Sequence, residues 1–323
     1  MLISLSCIHE EKPSAKWQAM FQKSWPFYKE WFLVEGASER PGYLTSCTQL
    51  ELYMPELIPI YTRLCDLAGG DDLSARYLSM YCPPPYIAGC SQLALNLISP
   101  TLIRNYDYNP YLFEGVMLKT NWLQPVIGMV DCNWGLLDGV NASGLSASLA
   151  FGGRKVKGIG FGIPLVIRYL LETCHSVIEA TQKLKKLPIH MAYNITLVDK
   201  YFDYATVYSS PDRGVIISKD RVATNQQQIV EWDNYELVAL SQKRMDFIHH
   251  CLSIPNITEE NLIHSFSQSP LHVKNLEHSF VTIYTAIYKP LDLSALIKWE
   301  GNEVYQSFSN FKERVFTKKI LKK

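Results

Sequence analysis

The sequence lacks the features that mark several classes of protein. Its 31 Lys and Arg residues balance its 31 Asp and Glu residues, so it has no basic excess of the kind that nucleic-acid-binding surfaces carry. No segment approaches the roughly 20 consecutive apolar residues of a membrane-spanning helix. The first residues include no basic region and reach Glu10 and Glu11 early, which is unlike a secretory signal. We therefore expect a cytoplasmic protein with no membrane span and no nucleic-acid partner.

The sequence also lacks the patterns of a disulfide framework and of a metal site. Its eight cysteines show no paired spacing and no Cys-x-x-Cys motif, which favours reduced thiols. His249 and His250 are neighbours that cannot face one site from a helix, and His264, His272 and His278 have no metal-ligand spacing. The sequence therefore predicts neither a metal nor a cofactor.

The sequence does have enough apolar residues for a large core, since 47% of its 323 residues are hydrophobic. Helical spacing over residues 14–34, interrupted near Pro26, and over residues 45–82 makes the first quarter mostly helical. In the rest of the chain, strands joined by hairpins alternate with helices, one of them predicted over residues 235–251. This order predicts an α+β domain of antiparallel sheets, with a frayed basic tail over residues 318–323.

A proline-rich segment separates the helical part from the rest. Pro83, Pro84 and Pro85 forbid a helix and stiffen the chain as polyproline II. Together with Tyr86 they match the ligand motif of WW-type modules, but short motifs of this kind occur often by chance. We therefore interpret this segment as a rigid connector.

Cys90 stands where the connector meets the first predicted strand. If the Gly89–Cys90 bond were cut, Cys90 would carry a thiol and a free α-amine, with ordinary pKa values of about 8.5 and 7.7–8.0. Such an amine can act at neutral pH as the general base for the thiol of the same residue. Gly89 suits the cut because a residue without Cβ tolerates the strained backbone that attack on its carbonyl requires. The competing interpretation is a small cysteine buried in the core.

Arg104 and Asp107 lie on the strand that a predicted hairpin places beside Cys90. On this strand Arg104 and Tyr106 share one face, and Asn105 and Asp107 share the other. Asp107 is a candidate for holding the α-amine by a charge-assisted hydrogen bond, and Arg104 is a candidate for lowering the pKa of the thiol. The alternative is a surface ion pair that contributes little.

These residues resemble the opening of the choloylglycine hydrolase/penicillin V acylase superfamily of N-terminal-nucleophile (Ntn) hydrolases. Within it they are most similar to the branch of acyl-coenzyme A:6-aminopenicillanic acid acyltransferase. The matching segments cover roughly residues 89–290 and are Gly89-Cys90-Ser91-Gln92-Leu93-Ala94, Arg104-Asn105-Tyr106-Asp107, the Gly-x-Asn-x-x-Gly-Leu-like turn of residues 137–145, the Thr-Asn pair of residues 224–225 and the Ser-x-x-Arg of residues 241–244.

The resemblance implies a four-layer αββα sandwich. Residues 1–89 would be a helical pro-segment, and residues 90–323 would be the catalytic domain. Ala150 stands where bile-salt hydrolases carry a side-chain donor to the oxyanion, so a backbone N–H would have to serve instead. Bile-salt or penicillin specificity therefore does not transfer to this chain.

The resemblance also implies a role for five residues. Carried over by position, Cys90 is the nucleophile and base, Arg104 sits beside the thiol, Asp107 orients the α-amine, Asn225 supports the oxyanion and Arg244 steadies the surrounding network.

The expected activity is that of an autoprocessing amidohydrolase or acyltransferase acting on a linear amide other than a peptide bond. The substrate is an acyl-bearing small molecule, the intermediate is acyl-Cys90, and fragments 1–89 and 90–323 stay associated; the sequence is also compatible with a homo-oligomer. Three alternatives stay open: acyl transfer to an amine, a Cys-His-Asp enzyme using a distant histidine such as His190, and an inactive sandwich that presents residues 83–86 to a partner.

Overall fold

The computed structural model describes residues 2–274 and 281–319. In this part of the chain the strands are β1 (Leu2–Glu10), β2 (Gly89–Asn96), β3 (Pro100–Tyr108), β4 (Val116–Asn121), β5 (Pro125–Asp131), β6 (Gly135–Asn141), β7 (Leu145–Phe151), β8 (Tyr193–Asp199), β9 (Tyr204–Ser210), β10 (Arg213–Ser218), β11 (Val222–Ala223), β12 (Val281–Lys289), β13 (Ser294–Trp299), β14 (Asn302–Ser307) and β15 (Arg314–Lys319). The α-helices are α1 (Ala15–Phe32), α2 (Tyr43–Tyr53), α3 (Ile58–Leu67), α4 (Asp72–Leu78), α5 (Ile163–Thr173), α6 (Val177–Leu184), α7 (Asp233–Ala239), α8 (Ser241–Ser253) and α9 (Glu259–Ser265).

The strands form two sheets that pack face to face. One sheet has the order β10-β9-β8-β7-β6-β5-β4-β1-β15, and the other has the order β11-β2-β3-β12-β13-β14. Helices α5 and α6 pack on the nine-stranded sheet, and α8 packs on β2 and β11 of the six-stranded sheet. The predicted α+β class is confirmed. No helix among the described residues is long and apolar enough to cross a bilayer.

The alternation of side chains along β2 and β3 divides them between two cores. Ala94 and Leu102 belong to the core between the sheets, together with Cys90. Leu93 and Ile103 belong to a second core with apolar residues of α8 and α9. Successive side chains of a strand point to opposite faces, so Cys90 is placed between the two sheets at the start of an inner strand.

The N-terminal part contains the predicted helices, but it begins with a strand that the sequence analysis missed. In β1 the buried side chains Ile3, Leu5 and Cys7 alternate with serines, which is the pattern of a strand with one buried face. This strand lies between β4 and β15 of the nine-stranded sheet. Residues 1–89 therefore contribute to the same sheet as the rest of the chain. The prediction of a frayed C-terminal tail is also wrong for Lys318, which lies in β15.

Two predicted helix boundaries are wrong as well. Helix α1 continues through Pro26, because Phe21 and Phe32 on either side of it are buried in the core. The helix predicted over residues 235–251 is divided into α7 and α8 at Leu240, whose φ of 48° is left-handed.

Candidate active site

The β2–β3 hairpin brings Cys90 and Arg104 together. In its register Cys90 lies opposite Tyr106, and Gln92 lies opposite Arg104, so these four side chains share one face. The Nη2 group of Arg104 donates to Cys90 Sγ over 3.2 Å. Arg104 therefore lies where the sequence placed it, and its role in catalysis stays a prediction.

The charge of Arg104 is balanced by Asp138 and not by Asp107. Arg104 is fully buried, and its Nη1 group donates to the carboxylate of Asp138. Tyr284 and Tyr288 donate their hydroxyls to the same carboxylate. The interpretation of Arg104 and Asp107 as a surface ion pair is wrong, because both are buried and each binds a different partner.

Asp138 is the site residue that sequence reasoning missed. It is a lone carboxylate in β6, next to Leu137 and close to Val140. An unpaired charge in such a strand would carry a desolvation penalty of several kcal/mol. A single acidic residue in an apolar strand therefore signals a buried cation elsewhere, and Arg104 in β3 is that cation.

The thiol of Cys90 is fully buried in the uncut chain. Burial is the largest effect on its pKa and raises it above the ordinary value, while the charge of Arg104 lowers it. The expected effect of Arg104 on the pKa is thus right in direction but smaller than that of burial. Cys90 is therefore a neutral thiol at neutral pH before any cut.

Two side chains from distant parts of the sequence hold the peptide groups around the Gly89–Cys90 bond. Asn225 Oδ1 accepts the N–H of Cys90 over 2.9 Å, and its Nδ2 donates to the carbonyl of Ala88 over 3.1 Å. Arg244 Nη1 donates to the carbonyl of Cys90 over 2.6 Å, and its Nη2 donates to Asn225 Oδ1 over 2.6 Å. The bond is therefore clamped on both sides.

Asp107 lies next to Gly89, on the face of β3 opposite to the Arg104 side chain. The hydroxyl of Thr282 donates to Asp107 Oδ1 over 2.6 Å, and Arg244 Nη1 lies 3.3 Å from Oδ2. Burial raises the pKa of Asp107, and the charge of Arg244 offsets part of this rise. The structure thus brings Asp107 to the bond together with the other four predicted residues.

Gly89 is required by close packing. A Cβ at this position would lie 2.9 Å from the Cβ of Asp107, a separation that real Cβ atoms essentially never show. The φ of Gly89 lies outside the left-handed range, so the close approach of two strands, and not a left-handed backbone, requires glycine here. Its tolerance of strain during attack on its carbonyl stays a prediction.

The space at this bond is small in the uncut chain. Gly89, Asp107, Arg244 and Tyr235 border a pocket of about 40 Å³, whereas ligand pockets typically measure about 300–1,000 Å³. Tyr235, on α7, has its hydroxyl 3.4 Å from the carbonyl of Ala88. A ligand of ordinary size therefore fits at this bond only if some of these residues move.

No histidine among the described residues forms a hydrogen bond with Cys90. His272 acts on the cluster through its charge, which slightly lowers the pKa of Asp107. His190 Nδ1 lies 2.6 Å from the carbonyl of Gly158, and burial lowers the pKa of His190 to about 4. Residues 2–274 and 281–319 contain no group of three His, Cys, Asp or Glu residues that could hold a metal ion. His278 lies outside the described residues.

The sequence profile of the acyl-coenzyme A:6-aminopenicillanic acid acyl-transferase family matches residues 98–303, more than half of the chain. The chain belongs to this family, and the resemblance inferred from the motifs is confirmed. The matched segment contains Arg104, Asp107, Asn225 and Arg244 but begins after Cys90. The assignment of Cys90 as the nucleophile therefore stays a prediction.

Solved structures similar to this chain include a penicillin V acylase and a conjugated bile acid hydrolase. The penicillin V acylase of Agrobacterium tumefaciens has 13% sequence identity and a TM-score of 0.47, over 68% of this chain and 86% of that one. A mutant of the conjugated bile acid hydrolase of Clostridium perfringens has 12% identity and a TM-score of 0.42, over 72% of this chain and 97% of that one. No curated protein sequence matches the chain.

Proposed function

We propose that this chain cuts its own Gly89–Cys90 bond and then acts as an amidase with Cys90 as its N-terminal nucleophile. The observation that carries the proposal is the clamp on this bond. Asn225 and Arg244 bind the peptide groups around it, and Arg104 contacts the thiol. A cysteine that only filled the core would not need three buried polar side chains around it.

In the proposed self-cleavage the Cys90 thiol gives up its proton and Sγ attacks the carbonyl carbon of Gly89. The bond from that carbon to the nitrogen of Cys90 breaks, the nitrogen takes up a proton, and Gly89 remains on Cys90 as a thioester. Water then hydrolyses the thioester, which leaves Gly89 as a carboxylate and Cys90 with a free thiol and α-amine. Asn225 and Arg244 hold the backbone of Cys90 throughout.

In the proposed turnover the α-amine of Cys90 takes the proton of the thiol, and Sγ attacks the carbonyl of a substrate amide. The acyl group passes to Sγ, the substrate amine leaves with the proton, and water hydrolyses the thioester. The hydrogen bond from the Cys90 N–H to Asn225 Oδ1 supports a role for Asn225 in orienting the amine, and the charge of Asp107 would favour the protonated form of the amine. Asn225 Nδ2 binds the carbonyl of Ala88 before the cut, and it can bind a substrate oxygen once Ala88 has moved away.

Transfer of the acyl group to an amine is a second candidate, favoured by the description of the family, which names an acyl-transferase. The two reactions share acyl-Cys90 and differ in whether water or an amine attacks it. Hydroxylamine added during turnover distinguishes them through the ratio of acyl hydroxamate to free acid. A high ratio at millimolar hydroxylamine supports transfer, and an unchanged yield of free acid supports hydrolysis.

Intact-mass measurement with N-terminal sequencing tests the proposal. We expect fragments of residues 1–89 and 90–323 from the wild type and an intact, inactive chain from Cys90→Ala. Cys90→Ser should cut slowly, because a hydroxyl is a poorer nucleophile than a thiol. Cys174→Ala changes another buried cysteine and should cut as the wild type does. A wild type that stays intact would refute the proposal and favour a sandwich that only binds a partner. Turnover by Cys90→Ala would refute Cys90 as the nucleophile.

A further inference from the structure

Tyr86 fills a site that borders the strand pair of Cys90. It belongs to the proline-rich connector, yet its residue surface is only 9% exposed. Its hydroxyl lies 2.6 Å from the hydroxyl of Tyr106, and its carbonyl accepts the hydroxyl of Tyr193 over 3.0 Å. Tyr106 is the residue that pairs with Cys90 in the register of β2 and β3. The side chain of Tyr86 therefore fills space next to the strand pair that holds Cys90.

The walls of this site are aromatic. The ring centroid of Tyr86 lies 5.6 Å from that of Tyr108, and Tyr106 stacks on Tyr108 at 5.5 Å. The ring centroid of Tyr284 also lies 5.5 Å from that of Tyr106. Aromatic pairs at such centroid distances are stabilised beyond the area that they bury, so the site suits an aryl group.

The site also holds a carboxyl group with unused capacity for hydrogen bonds. Asp131 is buried, and its Oδ2 atom has no hydrogen-bond partner among the residues that the structure describes. Tyr86 is close enough to lower the pKa of Asp131, although burial, the larger effect, raises it to about 6. An occupant with a hydroxyl group would therefore find two acceptors, Asp131 and the hydroxyl of Tyr106.

Cleavage before Cys90 would favour movement of the proline-rich connector out of this site. Gly89 would then end in a carboxylate, in a buried place next to the carboxyl group of Asp107. Burying a further charge is unfavourable unless it is paired, so the new end gains by moving into water and draws Tyr86 with it. The first fragment stays attached, because β1 is paired on both sides.

We propose that the site filled by Tyr86 becomes the acyl-group pocket of the mature enzyme and selects amides whose acyl group ends in a 4-hydroxyphenyl ring. The inference rests on the proposed function, in which the peptide before the cut lies on the acyl side of the attacked carbonyl. Tyr86 is three residues before Gly89, so its ring is attached at most about 10 Å along the chain from that carbonyl. Acyl groups of peptide-like length therefore reach the pocket.

Matched fluorogenic amides test the inference on the cut wild-type enzyme. The probes are aminomethylcoumarin amides of acetyl-Tyr-Ile-Ala-Gly, of acetyl-Phe-Ile-Ala-Gly, and of the same peptide with 4-aminomethylphenylalanine at its start. We expect kcat/KM to be at least about 10-fold higher for the tyrosyl probe than for the other two, because a site that bonds a hydroxyl disfavours an analogue without it. Equal values, or a preference for the phenyl or cationic probe, would overturn the inference.

Tyr106→Phe provides the second arm of the test. It removes the hydroxyl that faces Tyr86 and should bring the ratio of the tyrosyl to the phenylalanyl probe towards one. Tyr169→Phe is the matched control: the hydroxyl of Tyr169 binds Glu56 and Lys183, so this variant should keep the wild-type ratio. Thermal melts check both variants, and if Tyr106→Phe does not fold, the wild-type ratio decides alone.

The outcomes separate this inference from the proposed function. A wild-type chain that is not cut before Cys90 refutes both. A cut enzyme that hydrolyses other acyl amides but not the tyrosyl probe refutes the inference alone.

Discussion

We expect Asp131→Asn to reduce the loss of folding stability that occurs as the pH rises. This loss arises because the carboxyl groups of Glu114 and Asp131 both contact the hydroxyl of Tyr28. The hydroxyl of Tyr28 contacts the carboxyl group of Glu114 and lies 3.0 Å from Asp131 Oδ1, while it accepts the N–H of Cys132 over 3.0 Å. A hydroxyl has one proton and donates to one acceptor. The second carboxyl group must therefore be protonated to bond with Tyr28. The pKa of Glu114 is raised to about 7 and that of Asp131 to about 6, and burial is the largest cause of both rises.

The sign of the pH dependence follows from these raised pKa values. Between the ordinary carboxyl pKa of about 4 and a pH of about 7, the folded protein holds a proton that the unfolded chain has released. The free energy of unfolding is therefore highest below this window and falls as the pH rises through it. A rise of about 2 pKa units corresponds to roughly 3 kcal/mol, counted once because the pair shares one proton.

The assay is urea unfolding at pH 5 and pH 8 in a Cys90→Ala background, which keeps the chain uncut and avoids a dependence on fragment concentration. Asparagine at position 131 keeps the shape, and its amide supplies the missing donor to Tyr28. We expect the background chain to lose up to about 3 kcal/mol more stability than Asp131→Asn as the pH rises. Glu51→Gln, on the exposed face of α2, should behave as the background does. Equal losses with and without Asp131 would refute the reasoning.

Four further predictions concern the cut and its site. Gly89→Ala should slow self-cleavage, because its Cβ would lie 2.9 Å from that of Asp107; intact mass followed over time measures this, and wild-type kinetics would contradict it. Asp107→Asn keeps the shape of the side chain but removes its charge near the proposed α-amine, so turnover by the cut enzyme should fall by a factor on the order of 10²–10⁴. Arg104→Lys keeps a charge for Asp138 but loses the planar guanidinium. Its turnover should therefore fall by more than the change in its melting temperature explains. Normal turnover in Asp107→Asn after full cleavage would show that Asp107 serves only the fold. In native gel filtration the two fragments should elute together, because β1 is held between β4 and β15; their separation would contradict this account.

The sequence by itself determined the strand pair that carries Cys90 and the side chains that share its face. The turn between β2 and β3 is short, and the two-residue period of a strand fixes the direction of every side chain once the buried face is known. Local pattern alone therefore placed Arg104 on the strand next to Cys90, and the family resemblance placed it beside the thiol. Asn225 lies 135 residues from Cys90, and only the family resemblance brought it to the site.

The tertiary structure alone decided which distant segments meet. The pairing of β1 with β15 joins the two ends of the chain, Asp138 meets Arg104, and Tyr86 packs against Tyr106. A free strand edge or a buried carboxylate specifies the chemistry of its partner but not the position of that partner in the sequence. Closing so long a loop costs conformational entropy, which local interactions do not offset. These contacts therefore form only where the packing of the whole core holds both segments in place.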